Sequence, residues 1–401
     1  MTSTKKDPVI VVLQLTGGND YFNTVIPYND PLYVDNRPAV GYKLEDIIQV
    51  DSELGFAPTM GPVKDLYDQG KVAVIHGAGY ANSPRSHFRS MDIWHTCEPD
   101  KVGIEGWAGR VARELDPNKE NVLTAINFCH CRPSALTVAG VPVAAIADLE
   151  TYGVLTGIAD NTQRARALDL FAKMYSPAVG SGTVTDYLRS TGMEAMIGAD
   201  IVKVAPERYS STVEYPNSPI AAHLKDIAQV YLADLGTRIF YTQHASFDTH
   251  AGEAGAHPQL WKDVSEGISS FFDDLHAHGE GDNVVMYLFS EFGRRVHDNG
   301  SGTDHGAAGV AFAIGDQVKG GMYGEYPSRK VEDLEQGDLV PNYDFRGGYT
   351  TLVEDWLGLD AKPIVNGNFE KLGFLKYCLL YTSDAAAERS SVDLGGRRII
   401  K

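Results

Sequence analysis

A chain of 401 residues with 43% hydrophobic content can bury a sizeable core, and 22% charged residues with 41 glycines describe a globular, turn-rich protein. Its formal net charge of −18 disfavours nucleic acid and anionic membrane surfaces as main partners. No run reaches the ~18 apolar residues of a membrane span.

The charge balance also sets a condition on chemistry. An anionic substrate needs a local positive field, from a metal or from arginines, to overcome the long-range repulsion. The cysteines (Cys97, Cys129, Cys131 and Cys378) form no Cys-x-x-Cys pair, as expected of reduced thiols in a cytosolic protein. The N-terminal apolar run is short and lacks a small-residue cleavage site, so a cytoplasmic protein is the expectation from the sequence as written.

In chain order, Pro8 to Leu15 is a β-branched run that predicts a buried parallel strand. It empties into Thr16-Gly17-Gly18-Asn19-Asp20, a tight turn that leaves Asp20 at the strand's carboxyl end. Residues 58–69 read as a helix and 71–75 as a strand, followed by a loop and a helix starting near Ser86. A further helix is expected over 107–115, and short strands with a hairpin over 122–145. Helical spacing recurs at 162–176 and 183–204, and a polar surface loop covers 206–219.

Ile220 to Leu235 carries one apolar stripe and ends at Gly236, as an amphipathic helix does. A strand over 237–242, a long helix over 258–278, and strands over 283–289 and 310–314 follow. This alternation predicts an α/β domain with a mainly parallel central sheet and helices on both faces. We expect a single domain over 1–376, with 120–215 as a cap insertion. From about Tyr377 the sequence resembles translated adapter read-through, so 377–401 reads as a non-native or disordered tail.

Several common catalytic motifs are absent: a Gly-x-Ser-x-Gly elbow, a P-loop, His-Glu-x-x-His, and a dinucleotide glycine fingerprint. The chemistry instead gathers in loops after strands. Asp248-x-His250 follows the strand ending at Thr242, where two side chains one residue apart on extended backbone face the same way and suit one cation. Glu291, Asp304 and His305 occupy the next such loop. Ser86 sits at a helix N-terminus, with His87 beside it and Arg85 and Arg89 flanking. Arg294 follows Glu291.

Taken in order, Thr16-Gly17-Gly18-Asn19-Asp20, Arg85-Ser86-His87-Phe88, Phe247-Asp248-Thr249-His250, Ser290-Glu291-Phe292-Gly293-Arg294 and Gly302-Thr303-Asp304-His305-Gly306 resemble the domain-of-unknown-function family numbered 1501. Asp344-Phe345-Arg346 and Leu352-Val353-Glu354-Asp355-Trp356 resemble its closing motif, so the likeness covers residues 8–375. That family is grouped with the alkaline-phosphatase-like superfamily of phosphatases, sulfatases and cofactor-independent phosphoglycerate mutases.

The resemblance implies an alkaline-phosphatase-like fold, and imidazole plus carboxylate ligands suit a divalent metal, zinc or manganese, as one or two ions. Carried over by motif, Asp20 is the first ligand, Ser86 the nucleophile position, Asp248 and His250 the Asp…His pair, and His305 the last histidine. This chain departs from the pattern at Glu291-Phe292, where the superfamily has an Asp-His pair, so one histidine ligand is missing.

The expectation is a metal-dependent hydrolase or transferase acting on a small phosphate or sulfate ester. Asp20, Asp248, His250, Glu291, Asp304 and His305 would hold metal, Ser86 and His87 would act at the ester, and Arg85, Arg89 and Arg294 would bind its anionic group. The alternative is an inactive metal- or ligand-binding protein that keeps the fold.

Overall fold

The computed structural model describes residues 6–129, 132–149, 152, 160–174, 198 and 201–376. The segment 377–401 and most of 183–204 lie outside the described residues.

The central sheet has nine strands: β1 (Val9–Leu15), β2 (Val72–Gly79), β3 (Ala125–Phe128), β4 (Ala144–Ile146), β5 (Ile239–His244), β6 (Val284–Phe289), β7 (Gly309–Ile314), β8 (Gly321–Tyr323) and β9 (Tyr343–Asp344). Across the sheet they run β8-β2-β7-β6-β1-β5-β3-β4, with β9 paired to the far end of β2. β1 lies at the centre, parallel to both β5 and β6. β7 alone is antiparallel to its neighbours, β2 and β6.

The reason for the near-pure apolar strands is visible in β1, where alternate side chains enter opposite cores. Val9, Val11, Leu13 and Leu15 join one apolar cluster and Ile10 and Val12 the other. The first face is covered by α1 (Gly61–Asp68), α5 (Pro219–Leu232) and α6 (Glu253–Ala277), through Val63, Leu224, Trp261 and Phe271. The second is covered by α2 (His87–Thr96), α3 (Trp107–Leu115) and α7 (Phe345–Thr351), through Trp94, Trp107 and Tyr349. The Trp94 ring stacks on Phe289 and Phe345, and Trp107 stacks on Tyr349. Between α3 and α5 the chain also forms α4 (Asn161–Met174).

Two expectations change. β3 and β4 run parallel, with a short 3-10 turn at Ser134–Leu136 between them, so 122–145 is no hairpin. β3 pairs with β5 and β4 with β3, so both extend the central sheet. The long helix begins at Glu253, not 258, and carries Pro258 inside it. Proline favours a first helical turn, which is why the sequence suggested a later start.

The topology gathers the motif loops on one edge. β1, β2, β5 and β6 all end there, followed respectively by Gly17–Asp20, residues 80–87, 247–250 and Ser290–Glu291. Because β7 is antiparallel, it begins at that same edge, and His305 arrives just ahead of it.

Candidate metal centre

Asp248, His250, His305 and His87 meet at this edge. His87, Asp248 and His305 each offer a ligand atom, and these atoms lie within 4.8 Å of one another. His250 joins them, with its Nε2 3.2 Å from Asp248 Oδ1 and 3.0 Å from His305 Nε2. His305 Nε2 is itself 3.1 Å from Asp248 Oδ1.

The far nitrogen of each ring decides what the near one presents. His305 Nδ1 lies 2.9 Å from the Arg85 carbonyl oxygen, which can only accept, so Nδ1 carries the proton and Nε2 a lone pair. His250 Nδ1 donates to Asp304 Oδ1 at 3.1 Å. His87 Nδ1 donates to Glu291 Oε1 at 2.8 Å. Its Nε2 is buried without a hydrogen-bond partner, 3.5 Å from Asp248 Oδ2.

Three imidazoles thus have Nδ1 anchored on an acceptor and Nε2 turned towards one carboxylate. Neutral Nε2 atoms 3.0 Å apart and beside a carboxylate oxygen repel each other unless a proton or a cation lies between them. This is the arrangement in which outer acceptors fix the tautomer of metal-binding histidines.

The charges agree. Burial pushes the Asp248 carboxyl up, but the hydrogen bond and charge of Arg294 more than offset this and hold it at about 2. The hydrogen bond to Glu291 raises the His87 pKa against the effect of burial. Burial lowers that of His305, so a bare His305 Nε2 is the favoured form. The hydrogen bond with His250 lowers the Asp304 pKa.

The remaining motif residues sit around this cluster. Glu291 is buried behind His87 and also accepts the Gly17 N–H at 2.9 Å and 3.1 Å through its two oxygens. The Gly17–Gly18 turn needs glycine: both have positive φ, and a Cβ on Gly17 would lie 2.3 Å from the Asp248 nitrogen. Ser86 caps α2 without a side-chain capping hydrogen bond, next to His87.

Asp20 lies apart from the cluster. It is fully buried, its two oxygens pair with Arg37 and one also accepts from the Phe22 nitrogen. Burial raises its pKa, but Arg37 outweighs that and holds the carboxyl well below the usual range. Burial, with the Asp20 charge beside it, pushes the neighbouring Glu253 carboxyl far up. Sequence reading offered no signal for Arg37 or Glu253, which have no motif spacing to Asp20.

All three arginines expected at an anion are committed elsewhere. Arg294 is buried and donates to the carbonyls of Gly17, Gly18, Phe247 and Thr303 and to Asp248, tying three motif loops together. Arg85 turns to Asp338, Gln336 and the Glu335 carbonyl. Arg89 pairs with Asp92 and binds the carbonyls of Glu98, Pro99 and Lys101.

The fold and site together define an α/β protein with a histidine-rich cluster at the edge where most of its parallel strands end. Residues 189–352 match the model of the family described as protein of unknown function (DUF1501), the family that the sequence motifs resemble. No curated protein matches the chain. Similar solved structures include PsFucS1 sulfatase from Pseudoalteromonas sp., at 11% identity and a TM-score of 0.41 over 92% of this chain and 71% of that one. The C-terminal periplasmic domain of EcEptC from Escherichia coli, in complex with Zn, gives 10% identity and a TM-score of 0.35 over 78% and 75%. Alkaline phosphatase from the Antarctic bacterium TAB5 gives 10% and 0.34 over 78% and 93%. Among the described residues, no helix is long and apolar enough to cross a membrane.

Proposed function

We propose that the chain is a metal-dependent hydrolase or transferase of phosphate or sulfate esters, with one divalent cation held by His87, Asp248, His250 and His305. The observation that carries this is the shared orientation of the three imidazoles, each Nδ1 held by an acceptor and each Nε2 facing Asp248. Three imidazoles and a carboxylate suit zinc, with manganese the second choice. On this reading Glu291 and Asp304 act behind the ligands, and His87 fills the place of the histidine missing after Glu291.

Such an ion, when bound, supplies a concentrated positive charge that acidifies a nearby hydroxyl or water and offsets charge developing on ester oxygens. Asp248, kept ionised by Arg294, anchors the charge on the protein side. The Ser86 hydroxyl, at the start of α2 and without a capping bond, is available as the attacking oxygen. The ester's own oxygens take the remaining side of the cluster. With Arg85, Arg89 and Arg294 committed to protein acceptors, the cation is the main attraction for the anionic group.

The same commitment of the arginines favours a second reading, a metal-holding binding protein without turnover. Metal analysis of purified protein, followed by zinc titration and assays on p-nitrophenyl phosphate and p-nitrophenyl sulfate, separates the two. The hydrolase reading expects about one metal per chain and turnover that His305→Ala abolishes. Bound metal with no turnover, and no effect of Ser86→Ala, selects the binding protein. A protein that takes up no zinc or manganese overturns both.

A further inference from the structure

Beside the cluster, on the other side of Arg85, lies a pocket of about 380 Å³. Its wall is made by the chain from Tyr80 to Arg85, by Ala307 just after His305, and by the loop carrying Gln336 and Asp338. Arg85 belongs to both places: its carbonyl holds His305, and its guanidinium holds Asp338 in the pocket wall.

Two polar atoms of the wall make no hydrogen bond. Asp338 is buried, with Oδ2 taken by Arg85, while its Oδ1 has only an ion pair with Arg295 Nε at 3.6 Å, too long for a hydrogen bond. Ser83 Oγ is likewise buried without a hydrogen bond. Leaving a buried carboxylate oxygen or hydroxyl unpaired costs roughly 1–3 kcal/mol, so the wall is built for something that brings hydrogen-bond donors.

Charge narrows the choice. Asp338 is paired with both Arg85 and Arg295, leaving no strong field for an ion. Pro341 and the Tyr80 side chain add apolar wall, against which C–H groups pack. Hydroxyl donors on a carbon framework match such a lining better than an anion or a plain hydrocarbon does.

We propose that this pocket receives the alcohol portion of the ester, and that this portion is a neutral polyhydroxylated group such as a sugar. The assignment rests on the ester-hydrolase reading, since that reading places the scissile group at the adjacent cluster. Asp338 Oδ1 and Ser83 Oγ take the hydroxyls, and Arg85 links pocket to cluster through its two ends.

The zinc-loaded protein and its Ser83→Leu variant are assayed on glucose 6-phosphate and glucose 6-sulfate beside the two p-nitrophenyl esters. Ser83 is outside the metal cluster, and the leucine removes the pocket hydroxyl. Ser83→Leu should lower kcat/KM on a sugar ester about tenfold relative to its p-nitrophenyl counterpart, the worth of one or two buried hydrogen bonds. Equal effects on both substrates, or none on either, overturn the assignment.

If no ester is turned over, the hydrolase reading fails separately, and ligand-observed NMR with glucose tests the pocket alone. Binding that Ser83→Leu abolishes keeps a polyol site. No binding to the wild type leaves a pocket for water only and overturns the proposal.

Discussion

Replacing Glu291 with glutamine tests whether this carboxylate positions His87. Glu291 Oε1 receives His87 Nδ1 at 2.8 Å and Gly17 N–H at 2.9 Å, while Oε2 receives Gly17 N–H at 3.1 Å. Ser290 Oγ stands 3.1 Å from Oε2 and already accepts the Gly18 and Asn19 N–H groups. A glutamine oxygen can keep the Oε1 bonds, but its NH₂ must then face Gly17 N–H and a crowded serine oxygen. One good contact becomes a repulsive one, and the bond to His87 loses its charge assistance. The expected cost in metal-free stability is about 1–2 kcal/mol.

Metal affinity should fall more selectively. An outer acceptor of a ligating histidine is worth about 10–100-fold in affinity. Zinc competition against a chromophoric chelator, with thermal unfolding of the metal-free protein beside it, reads both numbers. Arg89→Met is the control, because Arg89 holds the 98–101 loop and should cost stability without changing zinc affinity. Wild-type zinc affinity in Glu291→Gln, while His87→Ala binds poorly, refutes the positioning role. An equal loss of affinity in Arg89→Met reduces the effect to general destabilisation.

Arg294→Met strands four backbone carbonyls and removes the partner of Asp248, so it should cost about 3–5 kcal/mol in urea denaturation. A loss below about 1 kcal/mol would contradict its role as the tie between the loops. Burial lowers His95 to about 3 and His76 to about 4, so the unfolded chain binds their protons first. Stability from these two residues is complete above pH ~6.5 and falls as pH drops towards 4, at up to about 1.4 kcal/mol per pH unit each. Denaturation midpoints in that window should flatten in His95→Gln, and an unchanged slope rejects the assignment. Glu253 has its pKa raised, so it holds its proton in the folded state and loses stability as pH rises above the ordinary carboxylate range. Glu253→Gln should therefore gain on the wild type between pH 5 and 8, and a parallel curve would show that Glu253 is ionised when folded.

Strands and helices were legible where burial is two-sided or striped. The run ending at Leu15 could only be a central strand, because both of its faces are covered, and the stripe from Ile220 to Tyr231 faces one core. Direction was less legible. Nothing in Gly309–Ile314 announces an antiparallel strand, since its fully buried residues read the same either way. The 122–145 segment misled because two short strands close in sequence suggest a hairpin, whereas these are joined by a turn that returns the chain in parallel.

At the site, the sequence identified the loops more reliably than the roles within them. An arginine in a motif says nothing about whether it meets an anion or a carbonyl. Arg294 meets four carbonyls because its loop closes over the Gly17 turn and the Phe247 loop, a packing fact with no local signal. Asp20 was placed by motif at a ligand position, yet Arg37, from a stretch without motifs, takes both its oxygens. Glu291 and His87 show the same limit most sharply. Read along the chain, Glu291-Phe292 lacks a histidine; read in space, His87 from the start of α2 stands where Glu291 can hold it. On the proposed metal reading, these two distant residues divide the labour between them. Glu291 also fixes the Gly17 turn, so one buried carboxylate aligns the imidazole and pins the loop that Arg294 ties to Asp248. Metal binding and the folding of the strand-end loops should therefore fail together when Glu291 is lost, and separately when only His87 is.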